Sequence, residues 1–254
     1  MKPNDILKRT SHRPWPLSKS PWRYYQEWND AVFLHWKVDL TELRKHVPSD
    51  MTIDLHEGQA WVSLVAFNME KVAIKNLPPI NGISNFHELN IRTYVRYKDV
   101  PGVYFISIQA FNRVGCFLAR QFTSLPYLFA KISRTNGVFT CTNKKENSCF
   151  HLEYKKEQSL SETGPLDHWL IERYALFQNS AQQINRFDIH HMPWSLSSIS
   201  INAIRFDYEH LNRLIQGAPH RTHYSGGIQT VCWGKSQIKL DYTSDYMTVM
   251  RIKK

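Results

Sequence analysis

The stretch Phe86-His87-Glu88-Leu89-Asn90-Ile91-Arg92-Thr93-Tyr94-Val95-Arg96 constrains the fold more than any other, because its chemistry alternates with a period of two. Leu89, Ile91 and Val95 fall on one face of an extended strand, and Glu88, Asn90, Arg92 and Tyr94 on the other. One face is apolar and asks for a core. The other carries a carboxylate, an amide, a guanidinium and a phenol. Two readings of that polar face stand. It meets water on a half-solvated antiparallel strand, or it lines a pocket for a small polar ligand.

The segments around this strand read as many strands and few helices. The apolar run over 26–38 is expected to be buried, with His35 as a hydrogen-bonded core residue. Asp39 is placed to cap a short helix that Pro48 ends. Residues 51–55 and 60–69 read as a hairpin turning at Gly58, and 103–110 as the strand returning from the Glu88 strand. Asn112 is a candidate cap for a helix to 122, with Arg113 and Arg120 on its solvated side. Strands are expected at about 127–133, 137–142 and 148–155, the last two setting Cys141 opposite Cys149 as unbridged thiols. Pro165 opens a helix read through 177. Strands near 186–191, 198–208 and 227–233 follow, with a small helix at 208–215. This mixture predicts a curved sheet closed into a barrel with helices outside it.

No Pro/Gly/Ser-rich or charge-dense break divides the chain, so 1–254 is read as one domain. Its residues 1–25 form an extended arm, with Pro14, Pro16 and Pro21 excluding a helix there and Trp15 and Trp22 docking on the body. Lys and Arg number 32 against 22 Asp and Glu, a formal charge of +10, which raises an acidic partner as a possibility. The basic residues are dispersed and their densest groups, Lys144-Lys145 and Lys155-Lys156, are only pairs. A solvated surface is therefore expected, with no specific nucleic-acid groove; a nucleic-acid or anionic-surface binder is the competing class. No apolar run reaches the roughly 18 residues of a membrane span or has the form of a signal peptide. The four cysteines, Cys116, Cys141, Cys149 and Cys232, show neither CxxC nor zinc spacing. The expectation is a cytoplasmic protein with no cofactor and no metal.

None of the common catalytic or cofactor-binding signatures occurs. His190 and His191 are strand neighbours pointing to opposite faces, and so cannot chelate one metal together. What the chain does carry, in order, is His12-Arg13-Pro14-Trp15-Pro16-Leu17, Phe33-Leu34-His35-Trp36, Gly58-Gln59-Ala60-Trp61-Val62, Glu88-Leu89-Asn90-Ile91-Arg92-Thr93-Tyr94-Val95, Leu125-Pro126-Tyr127, Glu172-Arg173-Tyr174 and His190-His191-Met192-Pro193-Trp194. This succession resembles the YqjF-like proteins, a bacterial family of unknown function in the acetoacetate decarboxylase-like superfamily. Met192 and Ser195 depart from its usual His-x-Pro-Trp-Pro.

The resemblance implies a mainly β (α+β) fold, a cone-shaped antiparallel β-barrel with a few peripheral helices and a pocket inside. Glu88 takes the place of the decarboxylases' pocket glutamate. Their Schiff-base lysine and the second lysine that depresses its pKa follow a proline; here that segment reads Leu125-Pro126-Tyr127-Leu128, and both lysines are missing. Without the amine, imine chemistry is excluded unless Lys131, some 13 Å along the strand, reaches back. Tyr127 stands in the lysine's place either as a hydrogen-bond donor and weak acid or as an aromatic wall. Glu88 and Tyr127 are thus the catalytic candidates, and Asn90, Arg92 and Tyr94 the ligand-binding ones, for a small carboxylate- or oxo-bearing molecule.

Overall fold

A computed structural model describes residues 2–180 and 183–239. Its elements are α1 (Pro3–Leu7), β1 (Tyr24–Val38), α2 (Leu40–Arg44), β2 (Thr52–Ile53), β3 (Ala60–Ile74), β4 (Phe86–Tyr97), β5 (Val100–Ala110), α3 (Arg113–Thr123), β6 (Tyr127–Phe129), β7 (Lys131–Thr135), β8 (Val138–Asn143), β9 (Ser148–Ser159), α4 (Pro165–Ile171), β10 (Ala175–Ser180), β11 (Gln183–His191), β12 (Ser197–Tyr208), β13 (Arg221–Cys232) and β14 (Ser236–Lys239). The helices sit where the caps predict: Asp39 accepts from the Glu42 amide at 2.8 Å and Asn112 from the Gly115 amide at 2.7 Å.

Strands β11, β10, β5, β4, β3, β1 and β13 follow one another by hydrogen bonding, and β13 pairs back onto β11 through Ile189 with Cys232, His190 with Val231 and His191 with Thr230. That last pairing closes a ring of seven strands, mostly antiparallel, with the β10–β5 pair parallel. Beyond β13 the sheet continues as a wing, β12, β9, β8 and β7, joined to the ring by the single pairing of Ser197 with Tyr224.

The wing folds over the outside of the ring. One core cluster unites Leu34, Leu64, Leu89, Ile91 and Val95 of the ring with Ile132, Phe139, Phe150 and Leu152 of the wing. A second cluster, with Phe33, Val65, Phe67, Val103, Leu176 and Phe187, fills the inside of the ring. Strand β4 is therefore buried on both faces, which removes the half-solvated reading of its polar side.

Several local expectations change. Thr52 and Ile53 pair with Arg96 and Val95 of β4, not with β3, so 51–55 is no hairpin arm even though Gly58 does turn the chain at φ +79°. Helix α4 ends at Ile171, and 175–180 joins the ring as β10 because its apolar residues are needed there. Where a helix is expected at 208–215, Tyr208 ends β12 and residues 209–214 make consecutive turns. Cys149 pairs with Thr142 and Cys141 with Phe150, one residue off the expected facing of the two thiols; Cys141 contacts the Gln109 side-chain oxygen at 2.9 Å. The arm contains the short helix α1, which buries Ile6, and Arg13 ties it down by donating to the Ile189 carbonyl at 2.7 Å.

Candidate functional site

Inside the ring, the even-numbered residues of β4 meet the inward aromatics of β1 and β3. Glu88, Asn90 and Arg92 share a cavity of about 110 Å³ with Phe33, Phe67 and Tyr127. Glu88 is 2% exposed. Asn90 Nδ2 donates to its Oε1 at 3.1 Å and Tyr127 Oη to its Oε2 at 3.0 Å. Burial raises the Glu88 carboxyl to about 7, against the pull of those two donors, so it exchanges its proton near neutral pH. The Tyr127 phenol is pushed well above its ordinary range by burial and by the charge of Glu88, and stays a donor.

Arg92 is the unusual member. Its Nε and Nη2 are sealed from solvent without a hydrogen-bond partner, as is Oδ1 of Asn90. No carboxylate of the described residues forms an ion pair with it, its guanidinium lies 5.8 Å from the Phe33 ring, and burial lowers its pKa. Buried polar atoms are ordinarily paired, so two idle donors and an idle acceptor around one small cavity mark a place that a ligand can satisfy.

Tyr94 does not join this lining. Its hydroxyl contacts Ser63 Oγ at 2.5 Å and donates to the Leu170 carbonyl at 2.9 Å, while its proximity favours the charge of Arg92. Lys131, the candidate substitute amine, is exposed and lines a surface groove; among the described residues no lysine lines the cavity. His190 and His191 serve the arm and its neighbourhood, His190 through the Ile6 carbonyl at 3.0 Å and His191 through that of Met192 at 2.7 Å. Among the described residues no group of His, Cys, Asp and Glu is arranged to hold a metal ion.

A buried polar chain escaped the sequence reading. From Ser63 it passes to His35 Nδ1 at 2.6 Å, from His35 Nε2 to His223 Nδ1 at 3.2 Å, and from His223 Nε2 to Asp167 at 3.0 Å; Arg221 holds Asp167 from outside at 2.7 Å. Arg221 and the Gly164 amide keep the Asp167 carboxyl down at about 2 despite its burial. His35 is thus the satisfied core histidine expected, but its partners lie 28 and 188 residues away and leave no local signal. The cavity's aromatic walls Trp28, Trp194 and Trp233 likewise come from separate segments that share no spacing.

Residues 25–229 match the DUF2071 family of uncharacterized conserved proteins. The chain belongs to this family. A relative in Bacillus subtilis (strain 168), the uncharacterized protein YqjF, is 40% identical over 194 residues, covering 72% of this chain and 80% of the relative. Among solved structures, acetoacetate decarboxylase from Legionella pneumophila aligns with a TM-score of 0.61 at 15% identity over 94% of this chain and 96% of its own. The enduracididine biosynthesis enzyme MppR complexed with pyruvate aligns with a TM-score of 0.55 at 12% identity over 89% and 93%. At such identities these likenesses establish the fold alone: this DUF2071 chain has the acetoacetate decarboxylase-like fold, strand-rich with a few helices. Among the described residues no helix is long and apolar enough to cross a membrane.

Proposed function

We propose that this protein takes a small carboxylate- or oxo-bearing molecule into the ring and acts on it, or holds it, without covalent catalysis. The observation that carries the reading is the unpartnered, solvent-sealed edge of Arg92 in the same cavity as a carboxyl poised near neutrality. A ligand carboxylate supplies the two acceptors that Nε and Nη2 lack, in the fork geometry guanidinium favours. Its far polar atom then faces Glu88, which takes or returns a proton, and Tyr127, which donates a hydrogen bond to developing negative charge. These groups suit enolisation, isomerisation or hydration of a small oxo acid. They do not suit imine-dependent decarboxylation, since none of the described lining residues offers an amine. The structurally similar MppR is described as complexed with pyruvate, which makes pyruvate a reasonable probe.

The test has two arms. Calorimetric titration with pyruvate is expected to give one saturable site, and incubation with pyruvate or acetoacetate plus borohydride to leave the intact mass unchanged. A stoichiometric adduct on Lys131 would return the protein to imine chemistry, and absence of any saturable site would remove the ligand reading. Glu88 offers an independent check. A carboxyl near 7 in the folded state and near 4.5 when unfolded makes the folded form bind the extra proton, so stability falls as pH rises between those values. Glu88→Gln abolishes that slope; relative to the unaltered protein it gains of order 3 kcal/mol from pH 4.5 to 7. Parallel stability curves for the two proteins across that window would show Glu88 to be an ordinary carboxylate.

A further inference from the structure

The +10 charge, dispersed in sequence, is partly gathered by the fold. A surface groove of about 640 Å³ runs between α3 and the β8–β9 turn, and five of its lining residues are cations: Arg113, Arg120, Lys131, Lys144 and Lys145. Among the described residues no Asp or Glu lines it and none of the five forms an ion pair. They approach from three elements. Arg113 and Arg120 are seven apart, hence on one face of α3. Lys131 opens β7 across from them. Lys144 and Lys145 sit in a turn shaped by Asn143 Oδ1, which accepts from the Lys145 amide at 3.1 Å and the Glu146 amide at 3.3 Å.

Like charges set around one concavity repel each other, and the arrangement is relieved only by anions that enter it. A single carboxylate offsets only one of the five charges, whereas linked phosphates offset several, and Arg forks and Lys ammoniums are the side chains that recognise them. The groove also carries aromatic surface. The Arg113 guanidinium lies 4.2 Å from the Phe129 ring, and Phe117, between the two arginines on α3, is 60% exposed. Planar groups stack on such a surface. Its volume falls within the roughly 300–1,000 Å³ of small-molecule sites and is about six times that of the internal cavity.

We propose that this groove, which adjoins the internal cavity at the shared wall residue Tyr127, is a second binding site, for a small organic diphosphate with a flat ring, of the nucleoside diphosphate kind. Its probes are ADP and inorganic pyrophosphate, titrated at about 150 mM salt, where unspecific attraction to surface lysines is screened. ADP is expected to bind at one saturable site. Arg120→Glu and Lys145→Glu should each weaken it about tenfold, the loss of one charge-assisted contact, while Lys155→Glu, an equal change of charge elsewhere, should not. A readout on the unaltered protein guards against misfolded variants: ADP should slow chemical acetylation of Lys131, Lys144 and Lys145 and leave that of Lys155 unchanged. Absence of saturable ADP binding, equal weakening by Lys155→Glu, or acetylation that ADP does not slow at the groove lysines would each overturn the proposal. So would a single-stranded oligonucleotide or an anionic lipid vesicle displacing ADP at lower concentration with the same residue dependence, since the groove would then be a macromolecular or membrane face.

Discussion

Replacing Asp54 by alanine is expected to lower the unfolding free energy by about 3–5 kcal/mol, with a fall of order 10 °C in Tm. Asp54 is 6% exposed and accepts from two arginines, from Arg173 Nη1 at 2.8 Å and from Arg96 Nε at 2.9 Å. The two bonds are unequal in consequence. The Arg96 side chain is 46% exposed and returns to water when its partner is lost. Arg173 is 8% exposed and packed against Trp169 and Tyr94, with ring centroids at 4.4 and 4.8 Å from its guanidinium. Without Asp54 it becomes a buried cation with no counter-charge, the situation that makes breaking a buried pair so costly. Arg96→Ala should cost no more than about 1 kcal/mol. Chemical denaturation of the two variants side by side is the measurement. Equal losses would mean that Arg173 finds water or another partner when Asp54 is gone.

Arg92→Met is expected to move stability and binding in opposite directions. The guanidinium lies over the Phe33 ring with Nε and Nη2 sealed and unpaired, so the empty protein bears the cost of burying that edge. Methionine fills similar volume without that cost, and the variant should be more stable by about 1–4 kcal/mol. Binding of pyruvate should fall roughly a hundredfold, because the ligand carboxylate loses the one cation that the described residues bring to the low-dielectric cavity. A merely structural arginine gives the reverse pattern, with lost stability and unaltered binding. Thermal unfolding and titration on the same preparation separate the two, and a destabilised Arg92→Met that still binds pyruvate would end the assignment of Arg92 to a ligand.

How far the site was legible follows from where its signals lie. The parity of β4 is local: Leu89, Ile91 and Val95 point to one core and Glu88, Asn90 and Arg92 to the cavity, as their alternation predicts. Tyr94 shares that parity, yet Ser63 and Leu170 take its hydroxyl, and strand parity cannot reveal a competing partner from another strand. Tyr127 was placed through its position after Pro126 in a resembling motif, and its bond to Glu88 spans 39 residues. The α4 boundary failed for a related reason. An amphipathic run continues past Ile171, but Leu176 and Phe177 pair with Val103 and Tyr104 of β5, and that distant edge decides the backbone.

By itself the sequence determined the period of its strands, the caps at Asp39 and Asn112, the family and, through the family, the fold. These are properties of neighbouring residues or of motifs in order, and need no knowledge of what lies across the sheet. Only the tertiary structure decided that both faces of β4 are buried, because the wing that covers its outer face comes from residues 131–159 and 197–208. Only it decided that Glu88 sits near neutrality, since desolvation depends on every wall of the cavity and not on the residues beside Glu88 in the chain. The same holds for charge: the basic pairs and single arginines that look dispersed along the chain converge on one groove, because electrostatic fields add through space and take no account of sequence separation.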